Sequence, residues 1–353
     1  MNRDRLRAVL EEYKDIFPNE LPPYTPKEFG IDHRIELIEG AKPPYKKPYR
    51  MTPKELAEAN RQVKEFLDKN ILVPSSSPFG AQVFFVGKPD GSLRMVADFR
   101  AINAITKRIG TAIPNVQELI DRLQGKKVFS SGDLFSGFYQ VGLNPADRQK
   151  SAINLPFGSY EFTCLPMGMC NSPPTFQAVM NKVFAGLPFV HVYIDDLVVA
   201  SDTPEEHEEH LKQVFARLRQ YKLYCNLKKC HFNQPELKFL GFICGRDGVK
   251  VDPAKIKVVQ DWPVPKNAKE VQQWLGLTNY FRKFIQGYAT LATPLHELTH
   301  KNTPFRWTDE HQTVFEALKH ALTNAPVLAM PDFTKPFEVV SDASLLGTGA
   351  VLM

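Results

Sequence analysis

The chain has 353 residues, 24% of them charged, and a formal net charge of +5 from 44 basic and 39 acidic side chains. At roughly 150 residues per domain, that is two or three domains and ample material for a core. The mild positive excess fits a polyanionic partner without demanding one. No secretory segment follows Met1 and no apolar run reaches the ~18 residues of a membrane span, so a soluble, cytoplasmic protein without a membrane partner is expected.

Residues 1–50 are polar and proline-rich after a short helical start, and "PPYKKPYRMTP" should be extended because each proline fixes φ and biases its predecessor away from helix. Thr52 and Pro53 read as the cap and first turn of a helix carrying Leu56, Val63, Phe66 and Leu67. "AQVFFVGKPDGSLRMVADFRAIN" reads as a hairpin turning at Pro89-Asp90-Gly91. "NVQELIDRLQG" reads as a short helix closed by Gly125. "KVFSSGDLFSGFYQVGL" is a strand, a glycine-containing turn and an aromatic segment, and "SPPTFQAVMNKVFAGL" is a helix opened by Ser172. A hairpin around "YIDD" precedes an amphipathic helix over 204–222 with Leu211, Val214, Phe215 and Leu218 on one face. "LKFLGFICGRDGVKV" reads as a hairpin turning at Asp247-Gly248, residues 252–330 as mostly helical, and "KPFEVVSDASLLGTGAVLM" as strand, turn and strand. Strands and helices mix without regular alternation, so an α+β fold is expected.

Five cysteines, Cys164, Cys170, Cys225, Cys230 and Cys244, are an odd count that points to a reducing compartment. Cys225, Cys230 and His231 lack a second ligand pair at zinc spacing and read as packed thiols rather than a metal site.

Asp195 and Asp196 interrupt the apolar run "FVHVYIDDLVVA". Aspartate is a common turn residue, and a two-residue hairpin turn would explain the pair. Yet the flanking strands are apolar on both faces, and adjacent carboxylates repel and resist desolvation unless a cation is present. Asp133 ends the upstream strand "KVFSSGD". If that strand lies beside the hairpin, three carboxylates converge at one end of a sheet, an oxygen-rich set suited to Mg²⁺. Two such ions could activate a hydroxyl and stabilise a leaving pyrophosphate.

"YIDD", "VFSSGDLFSGFYQ", "LPMGMCNSPPTFQ", "FLGF", "GSLRMVADFRAIN" and "WLGLTNYFRKFI", in this family's order, resemble the reverse transcriptase of a gypsy-type long-terminal-repeat retrotransposon polyprotein. The resemblance implies a right-hand polymerase fold of fingers, palm and thumb, then a connection segment and the start of RNase H. It divides the chain into an extended segment (1–50), fingers and palm (51–248), thumb and connection helices (249–330) and a truncated RNase H-like start (331–353). It implies extension of a primer on RNA and DNA templates with deoxynucleoside triphosphates and two Mg²⁺ ions, Mn²⁺ being the alternative. The other implied partner is the remainder of a retroelement polyprotein, with a virus-like particle as a further location.

Carried over by motif, Asp133, Asp195 and Asp196 are the catalytic, metal-binding acids. Lys88 and Arg94 match the residues that grip the triphosphate, a point charge and a planar fork suited to phosphate. Phe138 matches the aromatic gate that excludes a 2′-hydroxyl, and Tyr193 should pack near the primer terminus. Leu240 and Gly241 match the primer-gripping hairpin. Trp274, Tyr280 and Phe281 stand at helical spacing and read as core rather than base-stacking platforms. Met167 stands where many retroviral relatives have glutamine, which changes a hydrogen bond near the nucleotide. Asp342 in "SDAS" matches the first RNase H acid, but "ASLLGTGAVLM" after it holds no Asp, Glu or His, so RNase H activity is not expected of this chain. Two further readings remain: a catalytically silent, retroelement-derived nucleic-acid-binding protein, which predicts a lost acid, and an RNA-templated RNA polymerase, which predicts a small or polar residue at 138. The three acids are intact and residue 138 is phenylalanine.

Overall fold

The structure is a computed structural model. It describes the chain apart from residues 1–2, 28, 32, 88–90, 111–112, 124, 327, 329–335, 345–346 and 353, and gives the backbone alone for residue 3 and for the remainder of 342–352. The chain folds as two units, Met1–Asn115 with Val128–Gln234, and Val116–Lys127 with Pro235–Met353. Helices and sheets mix in the first without a βαβ rhythm, which is the α+β class.

In the first unit, helix α1 (Arg3–Glu12) leads into an extended stretch that ends at α2 (Pro53–Asp68). Thr52 caps α2 as its residue type predicts: its hydroxyl accepts from Glu55 N, and the Glu55 carboxylate accepts in return from Thr52 N, 2.8 Å away. Strands β1 (Leu72–Pro74), β2 (Ala81–Gly87) and β3 (Leu93–Ala97) and the short α3 (Arg100–Asn103) follow. Helix α4 (Val116–Asp121) belongs to the second unit. The chain returns with β4 (Val128–Asp133), β5 (Ile153–Leu155), β6 (Gly158–Phe162), α5 (Ser172–Val183), β7 (Val190–Tyr193), β8 (Asp196–Ser201), α6 (Pro204–Gln220) and β9 (His231–Gln234).

These strands make two sheets, ordered β1-β6-β5-β2-β3 and β7-β8-β4-β9. The first has one parallel pair, β2 with β5, and encloses a core that includes Val63, Leu72, Val83, Phe99, Ile153 and Phe162. The second packs α6 against β8 and β4, around Phe176, Val179, Val199, Leu211, Val214 and Phe215. Leu197, Val198, Val199 and Ala200 are all at most 5% exposed, so β8 is covered on both faces. That is why its sequence is an apolar run rather than an alternation.

The second unit holds a three-stranded sheet of β10 (Glu236–Phe239), β11 (Phe242–Gly245) and β12 (Gly248–Val251). It continues with helices α7 (Pro253–Gln260), α8 (Ala268–Tyr280), α9 (Tyr288–Glu297) and α10 (Asp309–Thr323). Trp274 is fully buried, 4.7 Å from Phe315 and 5.9 Å from Trp262 between ring centroids. Strands β13 (Val339–Ser344) and β14 (Gly347–Leu352) pair antiparallel.

Two local readings need correction. The segment expected to be one hairpin turning at Asp247-Gly248 is a three-stranded meander: Phe239 pairs with Phe242 and Gly245 with Gly248, so it turns at Leu240-Gly241 and at Arg246-Asp247. The apolar "FLGF" hides the first turn. Helix α4 ends at Asp121, before Gly125, whose φ of +71° lies in the left-handed region beyond a further turn.

Candidate active site

The three acids meet at one end of the β7-β8-β4-β9 sheet. Strands β4 and β8 are antiparallel, with Asp133 directly opposite Asp196, and β7 places Tyr193 opposite Asp196 on its other side. Directly paired residues project from the same face, so Asp133, Asp196 and Tyr193 form a row across three strands. Asp195 lies in the two-residue loop between Tyr193 and Asp196. Gly132 makes the pairing close: a Cβ there would come within 2.9 Å of Leu197 Cδ2.

The loop is held in an uncommon conformation. Ile194 has φ of +53°, unfavourable for a β-branched side chain and of order 1–3 kcal/mol. Gln177 of α5 pins it. This fully buried amide accepts from Ile194 N at 2.7 Å and donates to Val192 O at 3.2 Å and to Asn181 Oδ1 at 2.8 Å. Nothing local in the sequence links Gln177 to position 194.

Electrostatically the end of the sheet is a concentration of negative charge. Asp195 is pushed up to about 6, first by desolvation and then by Asp196 and Asp133, with Arg94 and Lys229 acting in the opposite direction. Asp196 is also raised, by desolvation and then by Asp133. Lys229 Nζ stands 3.4 Å from each Asp133 oxygen, a partner the sequence did not point to. Among the described residues no three Asp, Glu, His or Cys side chains converge to hold a metal ion as they stand. The donor set nonetheless suits a hard divalent cation. It consists of oxygens alone, and two of its three carboxylates are under mutual repulsion that a cation would relieve.

The remaining predicted residues are dispersed. Arg94 pairs across the β2–β3 hairpin with Val86, and its guanidinium lies 2.9 Å from Met167 Sδ. Both line a cavity of about 330 Å³ with Tyr139, Phe162 and Gly168. Phe138, in a 3-10 turn over Gly137–Gln140, is 8% exposed and stacks on Phe176 at 4.9 Å. Leu240 and Gly241 belong to the second unit, where they form a turn with φ of +50° and +81°. The Tyr280 hydroxyl donates to Leu240 O at 2.7 Å. Lys88 lies outside the described residues. Asp342 lies on β13 with its backbone opposite Gly349.

Residues 86–244 match the family model described as reverse transcriptase (RNA-dependent DNA polymerase), and residues 307–353 match that of the RNase H-like domain found in reverse transcriptase. The chain thus contains a reverse transcriptase domain followed by an RNase H-like one. The relatives it matches over nearly its whole length are retrotransposon Pol polyproteins of the gypsy type. It is 34% identical over 366 residues to the retrovirus-related Pol polyprotein from transposon opus of Drosophila melanogaster, covering 98% of this chain and 36% of that protein. It is 36% identical over 356 residues to the corresponding polyprotein from transposon 297 of the same organism, covering 99% and 33%. It is 32% identical over 353 residues to the Tf2-3 polyprotein of Schizosaccharomyces pombe, covering 98% and 26%. The chain thus spans about a third or less of the length of these relatives. Among solved structures, the foamy viral protease-reverse transcriptase in complex with RNA/DNA hybrid superposes with a TM-score of 0.83 at 25% identity, covering all of this chain and 50% of that one. The same protein's complex with dsDNA gives 0.83 at 26%, covering 98% and 73%. Among the described residues no helix is long and apolar enough to cross a membrane.

Proposed function

We propose that this chain is an RNA-directed DNA polymerase that also copies DNA, extending a primer with deoxynucleoside triphosphates as part of a retrotransposon polyprotein. The observation that carries the reading is the strand register that sets Asp133 opposite Asp196, with Asp195 in the adjoining loop. In this reading Asp133, Asp195 and Asp196 hold two Mg²⁺ ions, for which Mn²⁺ can substitute. Bound there, the ions would supply activation of the primer 3′-hydroxyl and neutralisation of the departing pyrophosphate.

The chain's own groups orient the reactants. Arg94 offers a fork to triphosphate oxygens, and Lys88, six positions upstream in sequence, a point charge. Phe138 limits the space beneath the sugar, Tyr193 stands beside the acids at the primer terminus, and Met167 lines the nucleotide side of the cavity. Leu240 and Gly241 contact the primer through a turn whose glycine permits close backbone approach. Gln177 keeps the Ile194-Asp195 loop in place. The foamy viral neighbours were solved with dsDNA and with an RNA/DNA hybrid, the template–primer types expected here.

The test is primer extension by the purified chain on RNA and on DNA templates with Mg²⁺ and deoxynucleotides. Extension on both is expected. Tight template–primer binding without any extension would replace the polymerase reading with a binding role.

A further inference from the structure

We propose that Cys225 and Cys230 form a reversible oxidation site, closed to an intramolecular disulfide by hydroperoxides, that controls the strand end bearing Asp133. The effect on catalysis rests on the polymerase reading; the chemistry of the pair does not.

All five cysteines are free thiols, but they are not equivalent. Cys225 and Cys230 interact with each other through their side chains. Both line one small hollow walled by Phe17, Phe215 and Phe232. Cys225 is 2% exposed and Cys230 is half-buried. An oxidant from solvent therefore meets Cys230, and the second thiol waits behind it, shielded. The intervening residues are already folded back. A 3-10 turn spans Leu227–Lys229, and Cys230 Sγ lies 3.3 Å from Asn226 O. Cys170 has a different sulfur environment, donating to Asn171 Oδ1 at 3.7 Å.

The pair is wired to the acid site through the backbone. Cys225 forms an antiparallel bridge with Leu134, the residue after Asp133. Asn226 N donates to Asp133 O at 2.9 Å, and Lys229 Nζ faces the Asp133 carboxylate. A disulfide brings its sulfurs to about 2.05 Å, closer than two thiols can stand without a bond. The turn must therefore tighten, and Asn226 and Lys229, both attached to Asp133, must shift with it.

The chemistry balances with a hydroperoxide as oxidant. The Cys230 sulfur attacks the terminal peroxide oxygen, the O–O bond breaks, and an alcohol (water, from hydrogen peroxide) leaves, giving a sulfenic acid. The Cys225 sulfur then attacks Cys230 Sγ, the S–S bond forms, and the sulfenic oxygen leaves as water with the two remaining protons. Two electrons pass from the sulfurs to the peroxide. A dithiol reverses the reaction by exchange.

The test treats the reduced chain with hydrogen peroxide, removes the oxidant, alkylates and digests with trypsin. The expected result is a linked pair of peptides, Leu223–Lys228 with Cys230–Lys238, that separates on reduction. In the same sample primer extension should fall about tenfold, the scale seen when groups supporting a metal ligand are disturbed, and should recover with dithiothreitol. Cys230→Ser should show neither change, and Cys225→Ala should stop at a sulfenic acid trappable on Cys230. Absence of the linked peptides, or linkage of either cysteine to Cys164, Cys170 or Cys244, overturns the site. Linkage with unchanged extension overturns its coupling to Asp133. The peptide readout holds whether or not the chain polymerises, so failure of the polymerase reading would be seen separately.

Discussion

Among the hairpins of this protein that close with two-residue loops, two solve the same geometric problem differently. Leu240-Gly241 joins β10 to β11 with positive φ at both positions, the pattern of a primed turn whose twist suits the flanking strands. Its second residue is glycine, which adopts that φ without a Cβ clash. Ile194-Asp195 joins β7 to β8, and there the positive φ falls on a β-branched residue. Ile194 stands where a stable hairpin with this φ pattern would favour glycine. The buried Gln177 accepts from Ile194 N and donates to Val192 O, and is itself anchored on Asn181, whereas the other loop is supported by the exposed Tyr280 hydroxyl at Leu240 O and by Asp252 N at Gly241 O. The Ile194-Asp195 loop thus holds a carboxylate in a conformation its residues do not favour, whereas Leu240-Gly241 is a turn its glycine favours.

The comparison sharpens with perturbations ordered by expected effect. Removal of divalent metal by a chelator should abolish primer extension while template–primer binding, which rests on phosphate contacts, persists. Restored activity with Mg²⁺ or Mn²⁺ completes the check, and extension in excess chelator would remove the carboxylates' proposed role. Gln177→Leu comes next. It strands Ile194 N and Val192 O, so we expect a stability loss of about 1–3 kcal/mol in denaturant unfolding and roughly tenfold slower extension, the scale for supporting residues.

An acid-sensitive element lies deeper in the same unit. His207 is fully buried between Ser130 Oγ, 2.6 Å from Nε2, and Ser201 Oγ, 2.8 Å from Nδ1. Burial, and then His210, push it down to about 4 from 6.5. The unfolded chain thus binds this proton at higher pH than the folded one, so stability must fall as pH drops below about 6.5, with the loss complete near 4. By pH 5 the loss should be about 2 kcal/mol relative to pH 7. His207→Gln should flatten that part of the slope, measured as urea midpoints across the range. An unchanged slope would assign the acid sensitivity elsewhere, His33 being the other buried histidine lowered to about 4. The smallest effect belongs to the second hairpin: Tyr280→Phe deletes one exposed hydrogen bond and should cost about 0.5–1 kcal/mol. A loss as large as that of Gln177→Leu would erase the contrast between the two loops.

Much of the local structure was legible because it depends on neighbours in sequence. Thr52 and Pro53 signal a capped helix, and the apolar run after Asp196 signals a strand covered on both faces. Trp274 and Phe281, read as core, are at most 1% exposed, whereas Tyr280 on the same helix is 44% exposed and turns its hydroxyl to Leu240. The convergence of the acids was legible only as a condition, that β4 lie beside the "YIDD" hairpin. The structure supplies the pairing and the register of Asp133 with Asp196. What could not be read depends on long-range packing. Gln177 reaches a loop in another element, Lys229 meets a carboxylate 96 positions away, and the five-residue step from Cys225 to Cys230 becomes a thiol pair only when the turn folds back. The first turn of the β10–β11–β12 meander was missed because Leu240 does not resemble a turn residue, although the structure holds it at positive φ.

The central claim is that the carboxylates at the end of the β7-β8-β4-β9 sheet perform nucleotidyl transfer rather than merely cap a hairpin. Its most direct test is single-turnover primer extension by Asp195→Asn, with template–primer affinity measured on the same preparation. Asparagine keeps the size and the turn propensity of aspartate and removes the charge. Extension should fall more than about 100-fold, beyond the 10–100-fold typical of groups that only support a metal ligand, while affinity stays near that of the unsubstituted chain. Extension within a few-fold of the unsubstituted chain would contradict the claim.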